Sequence, residues 1–84
     1  MSKNKKLLKR LKSRPVDFTW DELTRLLGGF GYQLAKKGKT GGSRRRFIHE
    51  TNPLICLHEP HPQKVLKRYQ IDQILELLTE EGLL

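Results

Sequence analysis

Phe18-Thr19-Trp20-Asp21-Glu22-Leu23-Thr24-Arg25-Leu26-Leu27-Gly28-Gly29-Phe30-Gly31-Tyr32 is the stretch on which the fold turns. Thr19-Trp20-Asp21-Glu22 has the spacing of a capping box. The Thr19 hydroxyl meets the third helical amide, and the Glu22 carboxylate reaches back to the Thr19 amide. Phe18 before the cap and Leu23 four positions into the helix are placed for a hydrophobic staple. Trp20, Leu23, Leu26, Leu27 and Phe30 form an apolar stripe at helical spacing, and Gly28-Gly29 stops the helix. The period then changes from helical to two. Tyr32 and Leu34 alternate with Gln33 and Ala35, which predicts a strand over Tyr32–Lys37.

Upstream, Leu7, Leu8 and Leu11 recur among lysines and predict a short amphipathic helix over residues 4–13. Arg14-Pro15 ends it, because the residue before proline avoids the helical region. Downstream, Gly38-Lys39-Thr40-Gly41-Gly42 reads as a hairpin connection and Ser43–Glu50 as a second strand, with Phe47 and Ile48 as its packing residues. Thr51-Asn52-Pro53 is a turn, and Leu54–His58 is a short third strand. Glu59-Pro60-His61-Pro62 excludes regular structure, since two prolines remove donors and fix the backbone. A final helix over residues 68–81 buries Ile71, Ile74, Leu75 and Leu78, and Gly82 closes it. This order predicts an α+β domain, a three-stranded antiparallel sheet with helices on one face and solvent on the other. The basic N-terminal helix occupies residues 1–15 and the compact unit residues 16–84.

With 84 residues, of which 36% are hydrophobic and 31% charged, the chain has room for one thin core. A large buried active site, a bound dinucleotide or other small-molecule cofactor, and a two-domain cleft are not expected. The lone cysteine, Cys56, forms no internal disulfide, so a reducing, cytoplasmic setting is the simple reading. No apolar run approaches membrane-spanning length, and the basic N-terminus is not followed by the apolar core of a secretory signal.

Charge is unevenly spread. Residues 1–16 hold seven basic side chains and no acidic one, residues 17–69 ten basic and five acidic, and residues 70–84 four acidic and no basic. The net +8 therefore sits on the first two parts, which would draw a phosphate backbone, while the acidic C-terminal end would repel it. The run Lys3–Lys12 reads equally as a solvated helix face.

Four constellations bear on chemistry. Lys36, Lys37, Lys39, Arg44, Arg45 and Arg46 flank the glycine connection and suit a phosphodiester. Arg44 and Arg46 share one strand face and Arg45 takes the other. Tyr32 and Phe47 offer aromatic surface nearby, or core. The plainer reading of the cluster is a hairpin kept soluble by its charges. Cleavage of RNA through its 2′-hydroxyl needs an acid and a base that titrate near neutrality, which histidine supplies. His58 and His61 bracket Glu59-Pro60 and can converge on a bound strand, with His49 across the hairpin. The alternative is a rigid proline connector with no chemistry. Cys56, His58 and His61 lack a fourth ligand and the usual zinc spacing, so no metal is expected and Cys56 reads as a small core residue. Ser43 has neither a base nor a nucleophile-elbow context.

Leu26-Leu27-Gly28-Gly29-Phe30-Gly31-Tyr32, then Gly42-Ser43, then His58-Glu59-Pro60-His61-Pro62, then Ile71–Leu78, in that order and spacing, resemble the HicA toxin family over about residues 18–82. The resemblance implies a fold like a double-stranded-RNA-binding domain, ribosome-independent cleavage of mRNA, growth inhibition, and a HicB-like antitoxin that covers the active surface. The family carries Gly-Ser-His where this chain has Gly42-Ser43-Arg44, and that histidine is its catalytic residue. Arginine stays protonated and cannot act as the general base, but it can clamp a phosphate and stabilise transition-state charge. Arg44 is thus expected to act electrostatically, with His58 or His61 handling protons. The alternative is a non-catalytic RNA-binding or antitoxin-binding domain on the same fold. A DNA-binding regulator is weaker, because no basic recognition helix stands between the strands.

Overall fold

The computed structural model describes residues 2–35, 44–61 and 63–83. Its elements follow the order α1 (Ser2–Lys12), α2 (Trp20–Gly29), β1 (Gln33–Leu34), β2 (Arg44–Ile48), β3 (Ile55–His58) and α3 (Arg68–Glu80). The sheet runs β1-β2-β3 with both pairings antiparallel, so the chain has the expected α+β architecture. The hairpin connection expected at residues 38–42 lies outside the described residues, as do Lys36, Lys37, Lys39 and Ser43.

The capping box forms at the start of α2. The Thr19 hydroxyl accepts from the Glu22 amide at 3.1 Å, and the Glu22 carboxylate accepts from the Thr19 amide at 3.0 Å. The same segment is tied to the loop before α3. The Trp20 amide donates to the Lys64 carbonyl at 2.9 Å and the Leu66 amide to the Phe18 carbonyl at 2.8 Å. Phe18, Trp20, Leu23, Leu26 and Leu27 join Ile71, Ile74, Leu75 and Leu78 of α3 in one buried cluster. Trp20 meets Phe47 of the sheet with ring centroids 5.4 Å apart.

α1 lies against α2 and α3, and Leu11 is fully buried in the common core. Two ion-paired arginines flank that contact. Arg10 bonds Asp17 at 2.8 Å and Glu22 at 3.0 Å, and Arg14 bonds Asp72 of α3 at 2.7 Å. Arg14 adopts φ +51 just after the helix, the left-handed region, where its side chain pairs with Asp72.

Strand alternation settles which residues face the helices. Arg45 and Phe47 of β2 and Ile55 and Leu57 of β3 point inward, while Arg44, Arg46, Ile48, Cys56 and His58 point out. Two expectations are corrected here. Ile48 is 50% exposed rather than packed, because its neighbour Phe47 takes the inner face. Cys56 is exposed rather than core, because Ile55 and Leu57 on either side of it are the buried residues of β3.

Candidate functional site

The open sheet face carries a ladder of cross-strand pairs. Arg44 is opposite His58, and Arg46 is opposite Cys56. Side chains directly opposite one another on an antiparallel pair stand about 5 Å apart at Cβ, so the Arg44 guanidinium and the His58 imidazole share one patch. β3 ends at His58, and the chain turns through Glu59 and buried Pro60 to exposed His61. There it lines a cleft of about 270 Å³ with His58, Lys67 and Tyr69 among its walls.

Gln70 fixes that cleft. It is 2% exposed, and its amide donates to the His58 carbonyl at 2.8 Å while accepting from the Lys67 amide at 3.0 Å. One buried side chain thereby joins the end of β3 to the first turn of α3. The carboxylate lining the cleft, Glu59, is already neutralised. It accepts from Arg45 at 2.8 Å and pairs with Lys64 at 3.1 Å. Burial by itself would raise the Glu59 pKa, but the hydrogen bonds from Lys64 and Arg45 outweigh it and hold the carboxyl below the usual glutamate range. The cleft is thus lined by one lysine and two histidines, and its carboxylate is engaged by Arg45 and Lys64.

The structure separates the three consecutive arginines. Arg44 and Arg46 are exposed on the open face, while Arg45 turns inward to Glu59 and the Ala35 carbonyl. Side-chain exposure of the Arg45–Glu59 pair is 15% and 11%, which makes it a nearly dry ion pair behind the sheet.

His49 has a different role from the other two histidines. Its Nδ1 accepts from the Thr51 and Asn52 amides, both at 3.0 Å, so the proton resides on Nε2, which donates to the Phe30 carbonyl at 3.0 Å. The ring lies 4.8 Å from that of Tyr32 and against Gly31. A Cβ at Gly31 would stand 2.9 Å from the His49 Nε2, and Gly31 has φ +94, so both space and backbone require glycine there. Tyr32 is itself buried, and its hydroxyl donates to the Pro53 carbonyl at 3.0 Å. With Phe47 also buried, neither aromatic residue near the basic cluster offers surface.

The match to known families falls on this same region. Residues 20–78 match the sequence profile of the family described as HicA toxin of bacterial toxin-antitoxin. The chain belongs to the HicA toxin family. No curated protein and no solved structure gives a significant match. The matched span begins at the first residue of α2 and ends in the last turn of α3, so it takes in the sheet, the cleft and the helical layer behind them. HicA proteins are the toxin members of toxin–antitoxin pairs, which makes an antitoxin a partner of this chain in general terms.

Sequence reasoning missed three residues of the cleft: Lys67, Tyr69 and Gln70. Tyr69 did leave a signal, because it falls off the Ile71, Ile74, Leu75 and Leu78 stripe of α3. An aromatic ring on the polar side of an amphipathic helix has no core to fill. Among the described residues, no three His, Cys, Asp or Glu side chains group to hold a metal, and no helix is long and apolar enough to cross a membrane.

Proposed function

We propose that this HicA-family chain binds RNA on the open sheet face and acts as a metal-independent endoribonuclease on mRNA in the cytoplasm, restrained by a HicB-like antitoxin. The observation that carries the reading is the strand register that sets Arg44 opposite His58, which lines the cleft together with His61. Arg44 and Arg46 contact the phosphates, and Lys36, Lys37 and Lys39 are further RNA-binding residues by their charge and place in the sequence. Arg45 serves the fold through Glu59.

In this mechanism one imidazole of His58 and His61 takes the proton of a ribose 2′-hydroxyl. The O2′–P bond forms as the P–O5′ bond breaks, and the other imidazole protonates the departing O5′. The products are a 2′,3′-cyclic phosphate and a 5′-hydroxyl. Arg44 donates to the phosphoryl oxygens as charge builds on them, an electrostatic role in the position where the family has histidine. That same substitution favours a second reading, a non-catalytic domain that binds RNA or antitoxin on the inherited fold.

Purified protein incubated in EDTA with labelled mRNA, alongside His58→Ala and His61→Ala, tests the proposal. Cleavage by the wild type, lost by at least about 100-fold in one variant as expected for removal of a general acid or base, supports the ribonuclease. RNA that shifts on a native gel but stays intact supports the binding domain instead.

A further inference from the structure

Tyr69 is 53% exposed, an unusual disposition for a large aromatic side chain on a helix whose apolar stripe is otherwise buried. It lines the cleft with His58, His61 and Lys67, one residue before the Gln70 amide that bonds the His58 carbonyl. The first turn of α3, which carries Tyr69, is therefore tied to the end of β3 by the two hydrogen bonds of the buried Gln70 side chain. Lys67 beside it is a cation suited to phosphate, and the nearby Glu59 carboxylate is occupied by Arg45 and Lys64. An exposed aromatic face beside a lysine, in a cleft whose own carboxylate is engaged by Arg45 and Lys64, matches the chemistry of a nucleotide, whose base has a π-face and whose phosphate is anionic.

We infer that Tyr69 is the stacking platform for one unpaired nucleobase of single-stranded RNA, seated beside His58 and His61. The inference rests on the RNA reading above and names the substrate class of that site. In a duplex both faces of a base are already covered by its neighbours, so a ring offered in a cleft rewards a base that is unstacked. Stacking holds the base without reading its hydrogen-bonding edge, so the platform tolerates all four bases.

The test is fluorescence anisotropy of the full chain with a labelled 2′-O-methyl oligoribonucleotide, which cannot be cut through the 2′-oxygen. The probe is supplied as a single strand, as the matched duplex, and as a single strand of the same length whose positions are all abasic. Tyr69→Ala is expected to weaken single-strand binding about five- to 150-fold, the range supplied by one base–aromatic stack. Duplex binding changes less than about twofold, as phosphate contacts alone would leave it. The abasic strand binds the wild type more weakly than the base-bearing strand does but binds Tyr69→Ala as it binds the wild type, and Tyr69→Phe recovers affinity because the ring remains. If the wild type binds the single strand and Tyr69→Ala binds it equally, the platform is wrong while the RNA reading stands. Equal losses on single strand and duplex also overturn the platform. Tyr69→Ala that keeps its RNA affinity but no longer binds antitoxin assigns the ring to the protein partner instead. A wild type that binds none of the probes overturns the RNA reading and the platform together.

Discussion

On the inner face of the sheet, Arg45 spends its charge on Glu59 behind a layer of Phe47, Ile55 and Leu57, and on the outer face Arg44 and Arg46 stand in solvent beside His58 and Cys56. The residues are neighbours on a single five-residue strand, and only the pleat divides them. The histidines divide in the same way. His49 has both ring nitrogens bonded to backbone groups and packs on Tyr32, whereas His58 and His61 are exposed and line the cleft beside α3. Residue type alone therefore does not separate fold from surface in this domain. What separates them is which side of the strand a residue takes and which hydrogen bonds it already makes.

The comparison breaks most sharply at adjacent positions. Phe47→Ala should cost about 3–5 kcal/mol by emptying the centre of the core. That is a large share of the ~4–13 kcal/mol expected for a domain of this size. Ile48→Ala, one residue along, should move stability by no more than about 0.5 kcal/mol. Urea denaturation of both variants checks the contrast, and similar losses would mean that the two faces are not distinct.

Glu59→Gln is the next largest. It leaves Arg45 in a nearly dry site with one charged partner removed, and the expected loss is at the lower end of about 3–5 kcal/mol, because the pair is not wholly buried. The pH dependence has a definite sign. The folded-state pKa of Glu59 is lowered, so its stabilisation is present above the unfolded value of about 4.3 and is lost as the pH falls through the folded value. The stability gap between wild type and Glu59→Gln should thus be full at neutral pH and close in the acid range. Glu22 is lowered in the same sense, with burial opposing and the bonds from Thr19 and Arg10 prevailing, so both proteins retain some shared acid sensitivity.

The helices were legible because their signals are local. The Thr19–Glu22 box and the Ile71, Ile74, Leu75, Leu78 stripe need no tertiary information, and both appear where the spacing puts them. The strands were legible in order but less so in their facing. Phe47-Ile48 offers two adjacent apolar residues to a pleat that buries one, and Leu54, read as strand, is 51% exposed just before β3. Of the site, the opposition of Arg44 and His58 follows from a register that depends on the connection between the strands, which composition does not specify. The cleft depends on Gln70 reaching from α3 to the His58 carbonyl, a contact across 12 residues that no periodicity announces. The Arg45–Glu59 pair is hidden for the same reason, since a basic triplet looks uniform until the sheet assigns its sides.

In the proposed function the outer face handles RNA, and the inner face holds the fold. The most direct test of that division measures melting temperature and single-stranded RNA affinity over a salt series for Arg45→Ala and for the double variant Arg44→Ala/Arg46→Ala. The double variant is expected to melt like wild type but to bind RNA more weakly, its log–log salt slope reduced by about 0.7 for each phosphate contact removed. Arg45→Ala should melt at a lower temperature and, while folded, keep the wild-type slope. The opposite pattern, with Arg45→Ala flattening the slope at an unchanged melting temperature and the double variant leaving RNA binding intact, would contradict the assignment of the two faces.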